Sequence, residues 1–256
     1  MTELDTTGSV PDQEIRAALG ETQGQIGDVY RLLEQGYTTN RELSDHGGGA
    51  NPGSAANARS AVETLLNGSL PRSPSVARGT ASRIRSLVQR NSFTTETITY
   101  LNMLVAQLEE ISYSEMAQAV EESELEEKSK ALETKVGDRA GIYVYSLPTF
   151  LRVPQKLDPE RYWFKIGRTE RSADGRIVEQ QRQAGLPEDY VLRRVYVPAA
   201  GTLNEAEKRF HDALIAFGHS RAEGRQAGRE WFATNLDALD TVARMMGYQI
   251  FTEDEE

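Results

Sequence analysis

Glu207 and His211 stand four residues apart in a segment with helical spacing, so both side chains project from one helix face. A carboxylate and an imidazole placed this way suit phosphodiester hydrolysis. That reaction needs a positioned water, a cation on the scissile phosphate, a group to take the water's proton and stabilisation of the leaving alkoxide. Glu207 lies beside Ala206 and one turn before Phe210, at the margin of the core face. An unpaired carboxylate is costly there, which favours a metal or arginine partner. One carboxylate can hold Mg²⁺ or Mn²⁺ if waters and phosphate fill the remaining positions. Tyr143 ends a strand-like run. With a free pKa near about 10 it is a poor base unless a cation lowers that value, and Lys165 on the adjacent strand is a candidate for this. Arg176 can grip phosphate bidentately. Each residue also has an ordinary reading: Tyr143 as a strand aromatic, Lys165 as a solvated edge lysine, Arg176 as a partner of Glu179 or Glu207, His211 as a surface residue. Glu230, before two large aromatics, can hold a loop through hydrogen bonds, and His219 sits in a polar loop with no expected role.

Composition excludes other chemistries. The 256 residues contain no cysteine, which removes disulfides, thiolate nucleophiles and cysteine-ligated metals. Three histidines, His46, His211 and His219, are too dispersed for a three-histidine site. No apolar run approaches the roughly 18–20 residues of a membrane span, and the first residues lack the pattern of a signal peptide. A soluble, cytoplasmic protein is expected. The net charge of −10 conceals three regions. Residues 50–92 hold six arginines against Glu63 alone, and residues 93–136 hold ten glutamates against three lysines, whereas the remainder is nearly balanced. Screening confines charges to about 8–10 Å, so a basic segment can bind DNA even in an acidic protein.

The elements that would position these side chains follow from periodicity. Residues 1–20 read as a loosely ordered tail. Residues 21–92 read as a helical, DNA- or partner-binding domain, with Thr39 and Glu42 as a capping box and Asn51-Pro52-Gly53-Ser54 as a turn before a helix from Ala55 to Leu66. Residues 93–136, free of glycine and proline, read as one or two long acidic helices, either a dimerising coiled coil over 94–136 or a solvated spacer. Residues 137–250 alternate strands and helices: strands at Gly141–Tyr145, Trp163–Gly167, Tyr190–Val197 and Glu230–Ala233, and helices at Asp174–Ala184, Asn204–Phe217 and Leu236–Met246, the last capped by Asn235. Residues 251–256 form an acidic tail. The fold class expected is α+β: an all-α half followed by a small mixed or antiparallel sheet with flanking helices.

Two resemblances add to this. Gly141-Ile142-Tyr143, Lys165-Ile166-Gly167, Arg176 nine positions later, Glu207 on a later helix and Glu230-Trp231-Phe232 after Gly228-Arg229 resemble the GIY-YIG nuclease superfamily. Within it, Lys165-Ile166-Gly167-Arg168-Thr169, the Glu207–His211 spacing and the Glu230-Trp231-Phe232 tail resemble a phage and bacterial branch. The resemblance implies Glu207 as metal ligand, with Tyr143, Lys165, Arg176, His211 and Glu230 around it. It also implies a place in phage defence, restriction or mobile-element biology. Two departures stand out: 21 residues separate Tyr143 from Lys165, with Phe150 to Tyr162 read as an extended loop near the site, and Gln180 occupies a position where many members carry a base. Tyr143 or His211 must then serve. Separately, Gly36 to Leu43 and Asn57 to Val62 resemble the two helices of a bacterial helix-turn-helix.

The expected function is a metal-dependent DNA endonuclease using Mg²⁺ or Mn²⁺. Arg59, Arg78, Arg83, Arg85 and Arg168 would contact the nucleic acid, a second copy would join through the 94–136 helix, and a partner protein would aid targeting. The alternative is a DNA-binding regulator or scaffold whose nuclease-like domain has lost activity.

Overall fold

The computed structural model describes residues 10–155, 160–173, 175–178, 188–222 and 230–252. The chain is α+β and divides into two compact units, Met1–Glu121 and Glu122–Glu256.

The first unit is helical: α1 (Val10–Glu21), α2 (Gln25–Glu34), α3 (Asn40–Asp45), α4 (Pro52–Asn67), α5 (Pro74–Arg90), α6 (Thr95–Ser112) and the start of α7 (Glu115–Val136). Thr39 and Glu42 form the expected capping box on α3. Asn51 caps α4, its side chain accepting from the Ser54 amide at 2.8 Å, so the helix starts at Pro52 and absorbs what the sequence reads as a turn. Of the three glycines between α3 and α4, Gly47 takes a positive φ of 91°, and Gly48 and Gly49 serve close packing. A Cβ on Gly48 would lie 2.8 Å from the Leu43 carbonyl oxygen and 3.0 Å from Val29.

Two sequence expectations change here. Residues 10–21 are not a loose tail, because Ile15, Ala18 and Leu19 share one face of α1 and are buried in the core. The stretch read as a recognition helix lies in α4, against which α1, α2, α3, α5 and α6 all pack; Ala55, Ala58, Ala61, Val62 and Leu65 are buried and Asn57 is exposed. The acidic stretch is two helices, broken at Tyr113-Ser114. Leu101, Leu104 and Leu108 of α6 are buried in the helical core, so the seam a coiled coil would use is already occupied.

The second unit carries a five-stranded antiparallel sheet in the order β4-β2-β1-β3-β5. The strands are β1 (Gly141–Ser146), β2 (Tyr162–Thr169), β3 (Val191–Val197), β4 (Trp231–Thr234) and β5 (Gln249–Thr252). The segment after β1 begins with a helical turn, α8 (Pro148–Arg152), where an extended loop was expected. The two long helices are α9 (Leu203–Ala216) and α10 (Leu236–Met245), the latter capped by Asn235 as anticipated. Strand β5 was absent from the sequence reading. Most of the helix expected over Asp174–Ala184, Gln180 and Gly228-Arg229 lie outside the described residues; residues 175–178 are helical.

Strand alternation sorts the sheet into two faces. Ile142, Val144, Phe164, Ile166, Tyr196 and Phe232 meet Ala206, Phe210 and Leu214 of α9 and Leu239 and Val242 of α10. Tyr143, Tyr145, Leu192 and Val195 form the other core, with Ala173, Ile177 and, from the end of α7, Leu132 and Val136. Ser129 of α7 accepts a hydrogen bond from the Leu192 amide at 2.9 Å. These contacts locate the foldable piece. A fragment beginning at 122 should melt cooperatively. One beginning at 137 loses Leu132 and Val136, both almost fully buried, and should be less stable by about 3 kcal/mol or more. Equal melting temperatures for the two fragments would contradict this.

Candidate active site

Strand β2 organises the polar residues. His211 of α9 is 7% exposed, and its Nε2 lies 3.0 Å from the Ile166 carbonyl oxygen. A carbonyl only accepts, so Nε2 carries the hydrogen and the neutral ring keeps its lone pair on Nδ1. Burial pushes the imidazole pKa down; the Ile166 hydrogen bond opposes this and the nearby charge of Arg221 reinforces it. His211 is therefore uncharged at neutral pH. Its ring packs 4.8 Å from Phe232.

One turn earlier on α9, Glu207 accepts a charge-assisted hydrogen bond from Arg168, the second residue after Ile166. Glu207 is buried and Arg168 half-exposed. Burial raises the Glu207 pKa above its ordinary value. Arg168 works against the rise, Glu230 adds to it, and Arg221 lowers it. The helix thus presents a carboxylate and a neutral imidazole, each tied to β2, as their spacing anticipates.

Lys165 and Tyr143 fall elsewhere. Lys165 is one residue from Ile166, so it projects from the opposite face of the sheet. Its Nζ lies 3.4 Å from a Glu230 carboxylate oxygen and 5.8 Å from the centre of the Tyr145 ring. Tyr143 is fully buried on the same face, paired across the ladder with Gly167. A Cβ on Gly167 would lie 2.6 Å from the tyrosine Cζ, so glycine is what lets the ring lie flat against β2. Arg176 is exposed on the short helical stretch whose Ile177 packs on that face. The sheet therefore brings Arg168, Glu207 and His211 together on one side and Tyr143 and Lys165 on the other.

Glu230 stands where the two sets meet, at the start of edge strand β4. Its carbonyl oxygen accepts from the Ile166 amide at 2.8 Å. Its charge is felt by Glu207 and His211 on one face and by Tyr145 on the other. Burial and Glu230 together push the Tyr145 hydroxyl up to about 12.

Two residues escaped the sequence reading. Tyr145 is the ring beneath Lys165. Arg221, in the segment between α9 and β4, holds its guanidinium 5.1 Å from the centre of the Phe232 ring. His219, read as a loop residue, is 8% exposed. Among the described residues, no group of three or more histidines, aspartates and glutamates is assembled to hold a metal ion.

Residues 141–247 match the T5orf172 domain. This corrects the family read from the sequence: the matching domain is distinct from GIY-YIG, and no GIY-YIG family matches. The tripeptides at 141–143 and 165–167 are short strand patterns, and spacing alone does not distinguish one small sheet domain from another. T5orf172 is a nuclease-associated, DNA-binding domain family, compatible with a DNA endonuclease in general. No curated protein and no solved structure matches the chain. No described helix is long and apolar enough to cross a membrane.

Proposed function

We propose that the second unit is a cytoplasmic, metal-dependent DNA endonuclease whose reacting centre lies at Glu207 and His211. One observation carries this reading: a neutral, buried imidazole and a carboxylate sit one helical turn apart, each fixed to the same strand. His211 is the base that takes the proton of the attacking water through Nδ1, because its Nε2 is committed to Ile166. Arg168 offers a guanidinium to the phosphate. Tyr143, fully buried on the other face, is a packing residue in this reading. Lys165 and Arg176 face nucleic acid from that second side, and Glu230 positions Lys165.

The donor set suits a cation that keeps most of its waters rather than one caged by protein. Glu207 would hold it, and Glu230, close enough to raise the Glu207 pKa, adds a second negative charge that a cation would relieve. Bound there, Mg²⁺ or Mn²⁺ would stabilise charge on the phosphate and the leaving oxygen. Plasmid nicking with either ion, with His211→Gln as the control, tests the assignment. The variant should nick about 10²-fold more slowly or worse, as loss of a general base does. Undiminished nicking would remove His211 from the chemistry, whereas a wild type that does not nick with either ion would favour the scaffold reading, in which Arg168 simply neutralises Glu207.

The helical unit supplies DNA affinity in this proposal. Arg59 is bonded to Glu63 and to the Thr38 carbonyl, Arg83 lies 3.4 Å from Gln25, and Arg85 is paired with Glu109. Arg78 has no ion-pair partner among the described residues. Arg78→Ala should therefore weaken duplex binding and reduce the salt slope by about one unit, whereas Arg59→Ala should change the slope little. Equal effects of the two would deny α5 this role.

A further inference from the structure

Arg221 is the residue of this region that neither the sequence motifs nor the proposed mechanism uses. Its Nε is buried and has no hydrogen-bond partner among the described residues. A buried guanidinium nitrogen without an acceptor is costly, and arginine satisfies its five donors best with a planar carboxylate or a phosphate. Phe232 holds the guanidinium from one side, and Phe232 is also the ring against which His211 packs. The isolated bridge between Arg221 and Phe232 fixes the backbone at the same place, supported by the Ala222 amide donating to the Trp231 carbonyl at 2.9 Å. The charge of Arg221 reaches Glu207, His211 and Asp212. Arg168 flanks Glu207 from β2. Two guanidiniums thus border the Glu207–His211 pair. One is occupied by the carboxylate and the other has its Nε unsatisfied.

We propose that Arg221 and Arg168 form an anion-binding clamp for a nucleic-acid phosphodiester, with Arg221 as the resident contact and Arg168 exchanging Glu207 for the phosphate when substrate arrives. Arg221 then takes the phosphate-gripping role that the sequence gives to Arg176, which lies on the helical stretch serving the other face of the sheet. The ligand class is a phosphodiester, whose oxygens match the guanidinium fork and which the proposed reaction at Glu207 and His211 brings to this place. This inference builds on the assignment of Glu207 and His211 as the reacting centre, and its test has a readout independent of cleavage.

The Nε–H signal of Arg221 is followed by ¹H–¹⁵N NMR in the full chain, assigned by its loss in Arg221→Gln. The probe is a short DNA duplex with non-cleavable phosphorothioate linkages. Saturating duplex should shift this signal, and Arg168→Gln should weaken the shift. An Arg221 signal unmoved at saturation overturns the clamp whether or not the protein cleaves DNA. Absence of cleavage with a shifted signal would instead overturn the nuclease reading and leave the clamp in place. Where the wild type cleaves, Arg221→Gln should slow single-turnover cleavage about tenfold to hundredfold, the loss of one charge-assisted phosphate contact. Arg221→Lys keeps the charge over Phe232 but not the fork, and should recover only part of the rate. It also replaces the glutamine variant as the decisive comparison if that variant fails to fold. Full activity in a folded Arg221→Lys protein would overturn the bidentate contact.

Discussion

Glu207→Gln should lower DNA cleavage by about 10²- to 10³-fold or more, while leaving the melting temperature unchanged or slightly raised. The first effect follows from the proposed cation. A glutamine keeps the shape and can still accept from Arg168, but it removes the charge that would hold Mg²⁺ or Mn²⁺, and metal stabilisation of the transition state is worth several kcal/mol. The second follows from linkage. Burial raises the pKa of Glu207 above its unfolded value. The unfolded chain therefore releases this proton at lower pH than the folded one, and above the folded pKa the buried charge opposes folding. Glutamine carries no such charge, so it lifts that opposition at neutral pH. The same sign makes a distinct prediction across pH. The stability gap between variant and wild type should close as pH falls below the ordinary carboxylate range. EDTA should abolish wild-type cleavage and leave the melt unchanged. Cleavage that survives EDTA, or a fully active glutamine variant, would remove the metal-centred mechanism and leave cleavage that does not depend on a cation at Glu207.

Much of this arrangement was visible in the sequence, and the part that was not has a definite physical origin. Capping residues are local: Thr39 with Glu42, and Asn235, act within one turn of the chain, and the structure forms them as read. The Glu207–His211 pair is equally local, since helical periodicity alone puts both on one face. The sorting of Lys165 from Arg168 was also encoded, because residues three apart on a strand face opposite ways. That parity separates Lys165 and Tyr143 from Glu207, although all had been grouped around one centre. Arg221 carried no such signal. Its importance comes from Phe232, eleven positions on, and from helix α9 on the other side. Helix α1 was missed because its apolar face has only Ile15, Ala18 and Leu19 amid polar residues, too few for periodicity to stand out. The coiled-coil reading failed for a related reason: an apolar stripe shows that a face is buried, not which helix covers it.

Asp240→Ala should destabilise the second unit by about 3–5 kcal/mol, the cost of breaking a buried ion pair by removing one partner. Arg194 is 2% exposed and Asp240 is fully buried. The Arg194 Nε lies 3.2 Å from both carboxylate oxygens, and the Tyr196 hydroxyl donates to the same carboxylate at 2.8 Å. Arg194 Nη1 also donates to the Arg193 carbonyl at 2.7 Å. The carboxylate therefore joins strand β3 to helix α10 through two side chains at once. Alanine would leave a guanidinium and a phenol facing a void, with water excluded from both. Domains of this size are stable by only about 5–15 kcal/mol, so the loss should lower the melting temperature by about 10 °C or more. Asp240→Asn retains an acceptor for Tyr196 but not the charge opposite Arg194, and should fall between alanine and wild type. The decisive comparison is the double replacement Arg194→Met with Asp240→Leu. Removing both charges leaves no uncompensated ion, so the double variant should be more stable than Asp240→Ala alone. Cleavage should survive in that variant, because Glu207 and His211 are held by β2 rather than by β3. A double variant as unstable as the single one would mean that the packing of Arg194, not its charge, is what Asp240 supports.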